Sequence, residues 1–120
     1  MLKINIADAE FEYLNALETE AQYNGASRRV LAVTCMPDAI SVDALNAMLT
    51  EKNLASITMT NTDTGAVNIY EGYVLKLACG VSAVLTQPET PDTPAVYKDR
   101  LIFKVGKRTY IEKKLHELGL

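Results

Sequence analysis

The chain has 120 residues, of which 48% are hydrophobic and 22% charged, and its formal net charge is −3. This composition excludes a disordered chain and fits one soluble domain over residues 1–120, which buries roughly 60–70% of its unfolded surface. The small net charge argues against a nucleic-acid partner. No window reaches the apolar length of a signal peptide or a membrane span, so we expect no membrane partner and an intracellular location.

The N-terminal third predicts strands. Residues 2–6 alternate between apolar and polar side chains, which is typical of a half-buried strand, and residues 8–10 are expected to form a turn. Residues 11–23 fit either a strand or an amphipathic helix, and we favour the strand. Asn24-Gly25 is a hairpin signal, so this segment is expected to pair with the strand that follows it.

The centre of the chain predicts a buried strand and a helix. Residues 29–36 are apolar on both faces, which is typical of a central strand covered on two sides. The clearest helix covers residues 41–52, with Ser41 as its N-cap and Lys52 in its last turn. Asn53 is expected to end the helix in a left-handed conformation.

Beyond the helix, short strands alternate with turns. Residues 56–60 and 67–70 predict a hairpin. Gly72 indicates a bulge or bend, and the strand pattern over residues 73–85 is expected to be interrupted at Gly80.

The last third predicts a loop, a strand and a helix. Residues 86–94 hold three of the four prolines and no large apolar residue, which favours an exposed, mobile loop. Residues 100–105 predict a final strand. Thr109 and Glu112 have capping-box spacing, so we expect a short C-terminal helix, which must dock to be stable because it is only about two turns long.

The residues that usually carry enzymatic chemistry are scarce. Cys35 and Cys79 lack the spacing of metal ligands, and both are expected to be buried free thiols. His116 is the only histidine, and we expect it to form an exposed i,i+4 pair with Glu112. No glycine-rich phosphate loop occurs. The sequence therefore predicts a protein that is not an enzyme, with no catalytic residues, no cofactor and no metal.

The charge is divided between the two ends of the chain. Residues 1–27 carry one lysine and five acidic residues, a net charge of −4, whereas residues 98–114 carry a net charge of +5. Two interpretations remain open. Either the two segments neutralise each other within one molecule, or they lie on opposite surfaces and drive head-to-tail packing between copies.

The candidate interface residues come from these two segments and from a pair of aromatic residues. They are Glu10, Glu12, Glu18, Glu20, Lys104, Lys107, Arg108, Tyr70 and Tyr73.

Several local segments resemble those of small prophage proteins of gut Firmicutes. They are the short N-terminal strand, the turn Asn24-Gly25-Ala26-Ser27-Arg28, the strand into the helix at 41–52, the helix exit Asn53-Leu54-Ala55-Ser56-Ile57 and the segment Tyr70-Glu71-Gly72-Tyr73. The resemblance covers most of the chain and is least at residues 86–94 and 109–120. Such proteins are often encoded among phage structural genes. The resemblance therefore implies a virion or tail-assembly role, with the chain in the bacterial cytoplasm during expression or in the virion, and it transfers no site residue.

We therefore predict an α+β fold of about seven strands, mainly antiparallel, in a sandwich-like or strongly twisted sheet with the helix at 41–52 packed on it. The expected function is non-enzymatic: a phage-type structural or tail-associated protein that self-associates or docks on another virion protein. The alternative is a small binding module that uses residues 86–97 to contact a peptide or saccharide. A third possibility is an enzyme with an acid–base pair among the N-terminal carboxylates.

Overall fold

The computed structural model describes residues 1–120 and confirms an α+β fold dominated by antiparallel strands. It has eight strands, one more than expected, and three short helices. Their bounds in chain order are β1 (Leu2–Ile6), β2 (Ala9–Glu12), β3 (Asn15–Tyr23), β4 (Ala26–Cys35), α1 (Val42–Met48), α2 (Glu51–Leu54), β5 (Ser56–Asn61), β6 (Val67–Glu71), β7 (Leu75–Gln87), β8 (Val96–Gly106) and α3 (Tyr110–Glu117).

The strands form two four-stranded sheets. Sheet A has the order β2-β1-β5-β6, and sheet B has the order β3-β4-β8-β7. Every neighbouring pair is antiparallel. The edges are therefore β2 and β6 in sheet A, and β3 and β7 in sheet B.

The segment over residues 11–23 is extended, as favoured, but it belongs to two strands. The chain leaves sheet A after β2 and enters sheet B at β3, with the break at Tyr13 and Leu14. The hairpin at Asn24-Gly25 is confirmed: both residues have positive φ, 52° and 74°, as a type I′ turn requires. The turn expected at residues 8–10 instead occupies Ala7 and Asp8, since β2 already begins at residue 9.

One core lies between the sheets. The inward-facing side chains of β1, β5, β4 and β8 contribute to a single cluster of 15 buried residues. The rings of Phe11 and Phe103 join the two sheets, with centroids 6.4 Å apart. The helical segment contributes Leu45, Leu49 and Leu54 to the same cluster, and these three side chains pack it against the sheets.

The helix predicted for residues 41–52 is correct at its start and wrong at its end. Ser41 caps α1 by accepting a hydrogen bond from the Ala44 amide at 3.1 Å. The helix then breaks after Met48, because Thr50 acts as a second N-cap for α2. Asn53 lies inside α2 and does not end it in a left-handed conformation.

The glycine positions around β7 also differ from the prediction. Gly72 has a φ of 81° and forms the bend where the chain passes from sheet A to sheet B. Of the bulge and the bend that the sequence allowed here, the structure has the bend. Gly80 does not interrupt the strand, because it pairs with Ile102 in a continuous ladder. The irregularities lie instead at 76–78 and 85–87.

The C-terminal region has longer strands and a less buried helix than predicted. β8 begins at Val96, so the loop shortens to residues 88–95. The capping box of Thr109 and Glu112 is present. No residue of α3 is buried. The apolar side chains Ile111, Leu115 and Leu118 are exposed to solvent, and the ion pair between Glu112 and Arg28 attaches the helix to β4. None of the three helices has the length and hydrophobicity to cross a bilayer.

Candidate assembly surface

A two-stranded arm projects from sheet B. β4 ends at Cys35, opposite Leu101, so the parts of β7 and β8 beyond this point have no third strand. We call residues 81–100 the arm. The chain has a radius of gyration of 16.1 Å and a longest dimension of 59 Å, whereas a compact chain of this length has a radius of gyration of about 14 Å.

One side of the arm is uncovered and mainly apolar, with Asp99 as its one charged residue. The paired residues Cys79 and Phe103 lie on the side of sheet B that faces sheet A. Further along the ribbon, the pairs on this same side are Val81–Leu101, Ala83–Asp99 and Leu85–Tyr97. The side that packs on sheet A near Phe103 therefore runs onto the arm, where sheet A no longer covers it. Val81 is 50% exposed, Leu85 47% and Tyr97 63%.

The outer face of sheet B, which points away from sheet A, is also largely apolar. It contains a shallow groove of about 400 Å³ bounded by β3, β4, β7 and β8. Its side chains include Leu17, Tyr23, Val30, Ala32, Leu77 and Lys104. Residues 29–36 are apolar on both faces of the strand, and this pattern correctly predicted that β4 is central in its sheet. The chain itself covers the outer side of that strand only in part: Val30 is buried and Ala32 is half-buried, while Leu17 and Tyr23 of the neighbouring β3 are 61% and 38% exposed.

The outer face of sheet A is different in character. The register places Lys3, Asn5, Thr58 and Thr60 on one side of β1 and β5, together with Glu10 and Glu12 of β2. Polar groups of this kind are stable in water. The outer face of sheet A is therefore polar over β2, β1 and β5, and it is apolar only at its edge, where β6 exposes Val67 and Ile69 beside Thr60 and Thr58.

The four acidic candidate residues lie on two different strands and do not form one patch. Glu10 contacts Lys3 Nζ at 3.2 Å and accepts a hydrogen bond from Asn5. Glu18 accepts a hydrogen bond from the Tyr73 hydroxyl at 2.5 Å. Glu12 and Glu20 are exposed on the edge strands β2 and β3.

The basic candidates are also dispersed, and one aromatic candidate is not on the surface. Lys104 lines the outer groove of sheet B, and Lys107 Nζ lies 5.1 Å above the Tyr73 ring. Arg108 donates a hydrogen bond to Glu51 at 3.0 Å. Tyr73 is 1% exposed, so it belongs to the core instead of a contact patch, while Tyr70 packs edge-on against it. Burial raises the pKa of Tyr73 to about 12.

The acidic and basic ends of the chain do not pair with each other. In segment 1–27, Glu10 contacts Lys3 and Glu18 contacts Arg29. In segment 98–114, Arg108 contacts Glu51 and Lys114 contacts Glu117. No ion pair joins the two segments. Direct neutralisation within one molecule, the first of the two interpretations, therefore does not occur at contact distance.

The expected His116–Glu112 pair is replaced by two other contacts. His116 Nε2 lies 3.1 Å from Glu51 Oε1. Glu112 instead pairs with Arg28, which is 4% exposed and which sequence reasoning did not single out. Nothing in the sequence around Arg28 predicted its burial, because it follows Ser27 at the start of an apolar strand, where a charged residue is usually exposed.

The N-terminal carboxylates line a shallow depression of about 430 Å³ between β2 and the residues after β4. Glu10, Glu12, Asp38 and Lys3 reach it. Lys3 holds the pKa of the Glu10 carboxyl below its usual range, first through a hydrogen bond, and Asn5 adds a second. A general acid needs the opposite direction. No three His, Cys, Asp or Glu side chains lie close enough to hold a metal ion.

No protein-family model, curated protein or solved structure matches this chain.

Proposed function

We propose that this chain is a non-enzymatic structural protein of phage type, a virion or tail-associated subunit that self-associates or docks on another virion protein. The phage assignment comes from the local segments around Asn24-Gly25 and the helix exit at residues 53–57. The assembly role is supported by the surface of sheet B.

The observation that carries the proposal is the apolar arm. An isolated two-stranded ribbon is at best marginally stable in water. This one also exposes Val81, Leu85 and Tyr97 on a single side. A contact that covers this side stabilises the arm and removes its apolar surface from water, at about 25 cal/mol per Å².

The outer face of sheet B supports the same conclusion. On the side that sheet A does not reach, β3 exposes Leu17 and Tyr23 next to the half-buried Ala32 of β4. Contiguous exposed apolar surface of this kind is typical of protein interaction sites. A neighbouring subunit supplies the missing cover.

The proposal is tested by measuring association against concentration in the ultracentrifuge. The test variant is Leu85→Ser/Tyr97→Ser, which removes the apolar pair of the arm. The matched control is Val67→Ser/Ile69→Ser, which removes similarly exposed apolar side chains from β6. We expect the wild type and the control to associate and the arm variant to stay monomeric.

A salt series adds a second measurement. Because the arm is apolar, association is expected to persist at about 0.5 M salt, where charge attraction over more than a few ångströms is screened. Loss of association at that salt would favour head-to-tail packing of the acidic and basic ends. A strictly monomeric chain at about 1 mM and low salt contradicts self-association.

The binding-module alternative rests on the tip of the arm. Residues 88–95 form a compact loop in which the Thr90 and Thr93 hydroxyls lie 2.6 Å apart, and Tyr97 follows it exposed. Replacing residues 88–95 with Asn-Gly keeps the two strands and removes the loop. Unchanged assembly together with lost binding of a peptide or saccharide would favour the module.

A further inference from the structure

The free edge of β7 is the longest unpaired edge in the molecule. β7 has 13 residues, and only β8 pairs with it. Apart from the ladder with β8, no backbone hydrogen bond involves its residues. A row of N–H and C=O groups therefore points away from β8 without a partner in the chain.

The other three edge strands carry acidic residues that hinder strand addition. Charged residues on an edge are a common protection against pairing with another chain. β2 carries Glu10 and Glu12, β3 carries Glu18 and Glu20, and β6 ends with Glu71. In β7, by contrast, residues 77–87 contain neither a charge nor a proline.

The arm shows the same contrast within a single ribbon. Its second edge belongs to β8, covers residues 96–100 beyond the end of β4, and contains the charged run Lys98-Asp99-Arg100. Three consecutive charged residues on that edge hinder the addition of a further strand. The edge of β7 in the same ribbon consists of Val, Ser, Ala, Leu, Thr and Gln residues, so one side of the arm is protected and the other is open.

We infer that the partner of this edge is β7 of a second copy of the chain, paired antiparallel about a two-fold axis perpendicular to the sheet. This inference rests on the proposed self-association and specifies its geometry. Such a contact is isologous, so each strand must be complementary to itself. Sheet B and its copy then form one continuous eight-stranded sheet.

Self-complementarity distinguishes β7 from β3. Antiparallel self-pairing of β3 about Thr19 sets Glu18 opposite Glu20 twice, and like charges directly opposite each other are destabilising. Self-pairing of β7 within residues 77–87 opposes only uncharged side chains, whichever residue lies on the axis. With Ala83 on the axis, it also sets the exposed Val81 opposite the exposed Leu85 of the second copy, and the reverse.

The first test places a charge on this edge. Ala83→Lys sets two lysines close to the two-fold axis, and Asn68→Lys puts the same charge on the exposed edge strand β6 as a control. We expect the dissociation constant of the dimer to rise about tenfold or more for Ala83→Lys and to stay unchanged for Asn68→Lys. Equal effects of the two variants would overturn the inference.

The second test maps the register and does not depend on how Ala83→Lys folds. In a Cys79→Ser background, single cysteines replace Val81, Ala83 and Leu85 in turn, and buried Cys35 remains. A disulfide needs Cα atoms about 4.4–6.8 Å apart, so we expect rapid cross-linking at one of the three positions. Equal cross-linking at all three would indicate non-specific aggregation and would overturn the inference.

A third combination separates this inference from the proposed function. One copy carries Thr19→Cys on β3, and the other carries Ala83→Cys on β7, both in the Cys79→Ser background. If these two cross-link and the β7 cysteines do not cross-link with each other, the pairing is head-to-tail. The two-fold geometry is then wrong, although self-association stands. A chain that is monomeric throughout contradicts both.

Discussion

Arg28 and Glu112 form a two-pronged ion pair although 84 residues separate them. Nη1 of Arg28 donates to Oε1 of Glu112 at 2.5 Å, and Nη2 donates to Oε2 at 3.0 Å. The same two nitrogens also donate to the carbonyl oxygens of Lys107 and Tyr23. Glu112 in turn accepts the Thr109 amide of the capping box. One carboxylate therefore caps α3 and fastens it to β4.

Glu112→Gln is expected to loosen α3. The amide keeps the size of the side chain but removes the charge that faces the buried guanidinium. Because Glu112 itself is 34% exposed, we expect a loss of about 2 kcal/mol in the free energy of unfolding. Amide exchange over residues 110–117 should accelerate. Glu117→Gln removes an exposed pair with Lys114 and serves as the control, with no change of similar size.

Acid should release the same helix. The Arg28 guanidinium, followed by the Thr109 amide, lowers the pKa of the Glu112 carboxyl to about 2. A lowered folded-state pKa means that the carboxylate stabilises the fold above the unfolded value of about 4.3, and that this contribution is lost as the pH falls towards 2.

The pH dependence is measured as the difference in unfolding free energy between wild type and Glu112→Gln. We expect a constant difference from about pH 7 to 5 and a declining one below about 4.3. Using the difference removes the contributions of Glu10 and Glu51, whose pKa values are also lowered by neighbouring bases. A difference that does not change down to pH 2 would contradict the role of the Glu112 charge.

Gly25 and Gly80 should respond in opposite ways to alanine. A Cβ meets no atom within 4 Å at either position, so only the backbone distinguishes them. Gly25 has a φ of 74°, where an L side chain costs about 1–2 kcal/mol. Gly80 lies outside the left-handed region, so Gly80→Ala should be neutral or add about 0.5 kcal/mol. Thermal unfolding measures both, and equal losses would contradict the assigned turn.

The two thiols should differ in reactivity. Cys35 is fully buried, and burial raises its pKa to about 12. Cys79 is half-buried, which corrects the expectation of two buried thiols, and burial raises its pKa as well. At neutral pH a thiol reagent should modify Cys79 slowly and Cys35 only after denaturation. Cys79→Ser should abolish native-state labelling; equal labelling rates would contradict the burial of Cys35.

Local patterns predicted the strands and turns well. The alternation of residues 2–6 and the Asn24-Gly25 turn depend on neighbours in sequence, so their structure follows from periodicity and backbone sterics. The helix end at Asn53 was wrong since Thr50 offered a competing cap that begins a second helix. Gly80 does not interrupt its strand because the ladder with β8 continues through it.

The candidate interface was predicted least well. Charge sums along the chain suggested two opposed ends, whereas Glu18 contacts Tyr73 and Arg29, and Arg108 contacts Glu51. These partners come from distant strands and helices, and no sequence pattern relates them. The arm was missed because β4 and β8 are offset and pair only from Val30–Gly106 to Cys35–Leu101, and only this register shows where β8 loses its neighbour.

The α+β class, the hairpins and the apolar composition of β4 and β7 can be read from the amino-acid order alone. These follow from side-chain period and turn chemistry, which act over a few residues. Which apolar sides are covered, the burial of Tyr73 and the pairing of Arg28 with Glu112 become visible once the strands and helices are packed together. Burial depends on the relative placement of whole sheets, and that placement arises from packing between residues far apart in the chain.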